Sequence, residues 1–221
     1  MPQPVSNSFQ RIHTWLAANA PATLDALNPP ATAAQLDELE HAVGMPLPNG
    51  LRELYSLHDG TDTNRLVSLM YGMTFLPLDQ VLREINYSKE FVAEGGESLV
   101  FAEPGILQER IFHPTRIPIC TDGSTCLLCV DLEPGPSGSR GQVILLDHER
   151  SVGLLIASSV EEMFDIHAKL LEDGRYSLNE DAKLAGDEWL EPDQEHDIVN
   201  WARIPRWKHI LQILHSSPIG S

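Results

Sequence analysis

Residues 117–157 read IPICTDGSTCLLCVDLEPGPSGSRGQVILLDHERSVGLLIA, and this stretch decides the fold class. Four short apolar runs, at 117–120, 126–132, 142–147 and 152–157, are separated by polar turns. Asp122-Gly123 marks the first link as a turn, and Pro134 to Gly141 forms a longer hairpin loop. Short runs of β-branched and aliphatic residues between Gly, Pro, Asp and Ser are the pattern of consecutive antiparallel strands. The strands are grouped together instead of alternating with helices. The expected fold is therefore α+β, an antiparallel β-sheet meander flanked by helices.

The flanks carry the helical period. Phe9, Ile12, Trp15 and Leu16 share one face, and Pro21 closes that segment. Thr32 and Gln35 have the spacing of a capping box, Leu36, Leu39, Ala42 and Val43 form a buried stripe, and Gly44 is placed to end the helix. Leu47-Pro48 redirects the chain into a second stripe of Leu51, Leu54 and Tyr55, which stops at a His58-Asp59-Gly60 turn. LVSLMYGM, residues 66–73, reads as a strand, and Asp79 as the cap of a helix carrying Val81, Leu82 and Ile85. Ser159 and Glu162 repeat the capping-box spacing ahead of a helix with Met163, Ile166, Leu170 and Leu171 turned inward, ending at Gly174. Residues 93–114 show no clear period.

A chain of 221 residues buries enough surface, roughly 70% of what the unfolded chain exposes, to fold without disulfides or metals. The formal net charge of -17 opposes binding to nucleic-acid phosphates or anionic lipid. That charge serves either solubility or a surface complementary to a basic partner. No apolar run reaches the ~18 residues of a membrane helix, and the N-terminus lacks the pattern of a signal peptide. Three crowded cysteines suit a reducing compartment. The expected location is the cytoplasm.

No set of residues has the layout of a catalytic site. Cys126 and Cys129 show the gap of a zinc knuckle, but they lie in CLLCVDL, where strand geometry points residues three apart to opposite faces. They are expected as core cysteines. His148, between Asp147 and Glu149, reads as a polar hairpin end, and EPGPSGSRG lacks the lysine and following helix of a phosphate loop. No enzymatic activity, cofactor or metal is expected.

In order along the chain, AAQLDELEHAVGMPLPNGLRELYSLHDG, FLPLDQVL, IPICTDGSTCLLCVDLEPG, GQVILLDHE and ASSVEEMFDIHAKLLEDGRY resemble the SUKH superfamily, whose founding members are the Smi/Knr-type cell-wall assembly regulators. The resemblance covers about residues 9–178. It implies an immunity protein of the bacterial type, which binds and neutralises a cognate toxin, with a nuclease or deaminase as the natural target. The alternative is a non-enzymatic regulatory scaffold in cell-wall assembly or signalling. Under the first reading the partner is a protein toxin with a basic surface, met by Asp59, Asp62, Asp122, Asp131 and Glu133; these acids serve equally well as turn formers.

The division that follows is a SUKH-like domain over 1–178 and an extension over 179–221. The segment 158–197 holds thirteen acids and three bases, whereas 198–221 holds three bases, no acids, Trp201 and Trp207. Trp201, Ile204, Trp207, Ile210, Leu211 and Leu214 make one stripe, expected to pack back on the domain; the competing reading is a dimer or toxin interface.

Overall fold

The computed structural model describes residues 3–95 and 97–216. Its centre is a six-stranded sheet of β1 (Thr74–Phe75), β2 (Phe101–Ala102), β3 (Arg116–Thr121), β4 (Cys126–Asp131), β5 (Gln142–Asp147) and β6 (Val152–Ala157). The order is β1-β3-β4-β5-β6-β2, antiparallel throughout except that β2 runs parallel to β6. The β3–β4 turn is held by Asp122, whose Oδ1 accepts from the amides of Ser124 at 2.8 Å and Cys126 at 2.9 Å. Gly123 supplies the positive φ of +76° that the turn requires.

Both faces of the sheet are covered. Cys126, Leu128, Val130, Val143 and Leu145 point into the main core beneath the helices. Cys129, Ile144 and Leu146 point the other way, against Leu99, Leu107 and Ile111. The stretch without a clear period is thus the lid of the outer face, and this is why the strands read as continuous apolar runs instead of alternating ones. Gly153 lets that lid approach: a Cβ there would lie 2.8 Å from Leu107 Cδ2 and 2.9 Å from Leu99 Cδ1.

The helices on the inner face are α1 (Val5–Asn19), α2 (Pro21–Asp25), α3 (Ala33–Val43), α4 (Asn49–Leu57), α5 (Leu78–Ala93) and α6 (Val160–Glu172). The capping box forms at α3: Thr32 Oγ1 accepts from the Gln35 amide, and the Gln35 side chain accepts from the Thr32 amide at 2.9 Å. At α6 the Ser159 hydroxyl accepts from the Glu162 amide, but the Glu162 carboxylate reaches one residue further back, to Ser158.

Other helix starts are met over long distances. The amides of Val5 and Ser6 donate to the Glu53 carboxylate, that of Thr23 to Glu188, and that of Leu78 to Asp59 at 2.8 Å. Asp79 therefore does not cap α5: it lies in the first turn and pairs with Arg83. Residues 66–73 do not form a strand either, because the chain doubles back at Tyr71-Gly72, both at positive φ, closed by the Met73 amide on the Met70 carbonyl at 2.8 Å. On α6, Ile166 faces out at 39% exposure and His167 takes the inward place at 0%.

Beyond α6 come β7 (Tyr176–Leu178), α7 (Glu180–Ala185) and β8 (Leu190–Pro192), then short 3-10 turns at Ile198–Arg203 and Pro205–Trp207, and α8 (Lys208–Ser216). The β7–β8 pair forms a small antiparallel sheet. Trp201, Ile204, Trp207 and Ile210 are buried in the same core as the main sheet. The Trp201 indole Nε1 donates to Asp147 Oδ2 at 2.8 Å. Residues 217–221 of the extension lie outside the described residues.

Candidate functional site

The five acids singled out by the sequence do not converge. Asp59 is taken up by structure: Oδ1 accepts from the Leu78 amide and Oδ2 from Gln35 Nε2 at 3.2 Å. Asp62 turns back on its own loop, accepting from the amide and side chain of Asn64. Asp122 holds the β3–β4 turn. Asp131 lies at the far end of β4 and is 0% exposed, so it offers a partner nothing. It accepts from Gln142 Nε2 and from the Glu133 amide, both at 3.2 Å; burial pushes its carboxyl upward against the opposing field of Arg116. Glu133 is exposed, 3.9 Å from His113 Nδ1.

The best-formed concavity lies elsewhere. Between α5, the β3–β4 turn and the loop at 111–113, the outer sheet face is left partly uncovered as a cavity of about 290 Å³. Phe112, Leu127, Cys129 and Leu146 make its apolar walls. Arg116, His148 and the Ser124-Thr125 turn contribute polar groups, Glu84 is the one carboxylate among its lining residues, and Tyr87 stands at 52% exposure. Tyr87, Phe91, Phe112 and His148 form a chain of rings with neighbouring centroids 4.3 to 6.0 Å apart. Arg116 occupies a buried position because it heads an edge-proximal strand whose outward side meets the lid, where main-chain carbonyls are free to accept.

The chemistry of this region favours holding a ligand over transforming one. Burial pushes all three thiols upward, Cys126 to about 12, so none is a thiolate at neutral pH. Cys126 and Cys129 point to opposite faces, as the strand geometry requires. His113 and His148 are both pushed down by burial and stay neutral, and His113 Nδ1 is engaged by Thr115 Oγ1 at 2.7 Å. Among the described residues no group of three or more His, Cys, Asp or Glu could hold a metal ion.

Sequence reasoning missed Tyr87, Phe112 and Arg116; His148 sits at the β5–β6 hairpin end, as expected, and also lines the cavity. The available signals were weak: Tyr87 and Phe91 sit four apart on the polar side of a helix, and Arg116 opens an otherwise apolar strand.

These observations define a class, α+β proteins with an antiparallel-dominated sheet flanked by helices and ending in a C-terminal helix. The chain belongs to the SMI1 / KNR4 family (SUKH-1), whose sequence model matches residues 30–166. It is 29% identical over 195 residues to the "Cell wall biosynthesis/cell cycle regulator smi1" of Schizosaccharomyces pombe, covering 82% of this chain and 39% of that protein. It is 27% identical to the "Glucan synthesis regulatory protein" of Neurospora crassa, covering 80% and 40%, and 23% identical to the "Cell wall assembly regulator SMI1" of Saccharomyces cerevisiae, covering 79% and 42%. The chain spans about two fifths of the length of these relatives.

These relatives overturn the expectation of a bacterial immunity protein with a toxin partner. They are fungal regulators of wall and glucan synthesis, and the match to them extends well beyond the family core. The immunity reading came from the resemblance, and net charge could not correct it, because net charge governs repulsion and solubility and names no partner. Several of the acids are moreover consumed inside the fold, as helix caps. Among the described residues no helix is long and apolar enough to cross a membrane.

Proposed function

We propose that this chain is a non-enzymatic regulatory scaffold acting in cell-wall assembly or glucan-synthesis control, on the cytoplasmic side of the cell, through binding to protein partners. The observation that carries this reading is the match over 82% of the chain to a wall-biosynthesis and cell-cycle regulator. The raised thiols and neutral, buried histidines support a role without covalent or acid–base chemistry. In this reading residues 1–178 form the family unit and 179–221 an extension to it, and of the five acids Glu133 is the exposed one.

The test is a domain exchange. The matching region of the fission-yeast regulator is replaced by this chain, and growth under wall stress and glucan content are measured in cells lacking the native copy. Restoration is expected. A chimera that is expressed and folded yet restores neither property would overturn the reading.

A further inference from the structure

Beyond Gly153 the outer edge of β6 is open. β2 pairs with β6 at Val152 and Gly153; Glu103 then leads into Pro104, which has no amide hydrogen, and the chain turns away with the amides of Ile106 and Leu107 on the Glu103 carbonyl. From Leu154 to Ala157, among the described residues, no strand lies on that edge. Two side chains take the place of one. The Leu155 amide donates to Glu103 Oε2 at 2.7 Å, and the Leu155 carbonyl accepts from Arg206 Nη2 at 3.1 Å. In an antiparallel pair a single opposing residue makes both of those bonds.

A groove of about 470 Å³ runs along the same edge, walled by Ile156, Ala157, Ile166 and Trp207. The outward turn of Ile166 places its side chain here. Past Arg206 a second hollow of about 270 Å³ shares Ile156, Ile166 and Trp207 and reaches Glu195. Arg206 is exposed, with its guanidinium 3.9 Å from the centroid of the Trp207 ring, so it can leave the Leu155 carbonyl without uncovering the core.

We propose that this edge is a docking site for an extended, basic segment of a partner protein, which displaces Glu103 and Arg206 from Leu155 and adds an antiparallel strand to β6. The segment's backbone takes over the two bonds of Leu155, and its side chains enter the two hollows. The charges select the segment. Displacement frees the Glu103 carboxylate beside Glu162, with Glu195 at the far end, while Arg206 turns out to solvent. The net charge of -17 opposes a second copy of the chain in the same place. The site rests on the reading of the chain as a binder of proteins.

The experiment selects random displayed peptides of about nine residues, a strand with flanks, on the full chain, and then titrates the free peptides by amide NMR. Peptides rich in Lys and Arg are expected, with saturable shifts at the amides of Leu155, Ile156 and Ala157. Methylating alternate peptide amides leaves the protein untouched: one register should weaken binding about tenfold and the other little, because a strand offers alternate amides to each edge. Glu103→Gln, which keeps the acceptor for Leu155, should weaken binding about threefold, and Arg206→Ala should tighten it about threefold. Shifts confined to other surfaces, equal effects of the two methylation registers, a preference for acidic peptides, or both variants without effect would each overturn the site. Concentration-dependent shifts at these three amides in the chain alone would give the edge to a second copy and overturn it equally. The domain exchange reads a different property, so failure here with restoration there removes this surface and leaves the regulatory reading standing.

Discussion

Replacing Trp201 by Phe probes the contact that ties the C-terminal segment to the end of β5. Trp201 is 1% exposed and its Nε1 donates to Asp147 Oδ2 at 2.8 Å. Asp147 is itself buried; its Oδ1 accepts from the Arg150 amide at 2.9 Å, and the Arg150 guanidinium stands 3.9 Å from Oδ2. Phenylalanine keeps most of the apolar volume but leaves Oδ2 without its donor. Losing a hydrogen bond to a charged acceptor costs about 1.5–3 kcal/mol, and the void left by the missing part of the indole adds about 1 kcal/mol. The sum, about 2.5–4 kcal/mol, lowers the melting temperature by roughly 5–15 °C for a chain of this size. Trp201→Ala should cost about 5 kcal/mol, because the cavity penalty is then complete. Urea unfolding followed by far-ultraviolet circular dichroism measures this without interference from the other tryptophans. In an Asp147→Leu background the Trp201→Phe change should cost at least about 1.5 kcal/mol less, which is the coupling between the two side chains. An unchanged unfolding midpoint for Trp201→Phe, or strict additivity in the double mutant, would refute the anchor.

Three further outcomes are expected. His167 is fully buried between Tyr71 and Tyr176, and burial pushes it down to about 3 against a smaller opposing contact with the Leu69 backbone; between pH 6.5 and that value the unfolded chain binds a proton that the folded chain refuses. Its contribution is therefore complete above pH 6.5 and is lost on acidification by up to about 1.4 kcal/mol per pH unit, so His167→Phe should flatten the fall in urea midpoint between pH 7.5 and 5 by about 2 kcal/mol, and equal slopes would contradict this. Gly60, at φ +69°, would place a Cβ 2.3 Å from the Pro77 nitrogen, whereas Gly174 at the same φ has open space around it; Gly60→Ala should cost roughly 2–4 kcal/mol and Gly174→Ala about 1 kcal/mol by thermal unfolding. Glu53→Gln, removing the carboxylate that receives the first amides of α1, should cost about 1 kcal/mol at neutral pH and less in acid, because the Glu53 carboxylate, held below its usual range by the Ser6 and Val5 bonds against burial, gives up its charge once the pH falls through that lowered range.

How far the chain could be read follows the range of the interactions involved. The meander, the Thr32–Gln35 box and the divergence of Cys126 from Cys129 were legible because each is settled within a few residues: an i to i+3 bond, a glycine turn, a two-residue period. The helix starts at α1, α2 and α5 were not legible. Their amides are met by Glu53, Glu188 and Asp59, which lie 48, 165 and 19 residues away. From local pattern alone an acid used as a distant cap looks the same as one waiting for a partner. Likewise Ile166 and His167 are adjacent on one helix, and hydrophobicity favours Ile166 as the buried one. Tyr71, tilted, and Tyr176, edge-on, enclose the imidazole instead, and they come from segments more than ninety positions apart. The cavity was hidden for the same reason, since its floor, walls and mouth come from β3, the lid of the outer face and α5. Residue type and spacing carry local geometry; which side of each element is covered, and by what, depends on contacts that exist only once the chain has closed on itself.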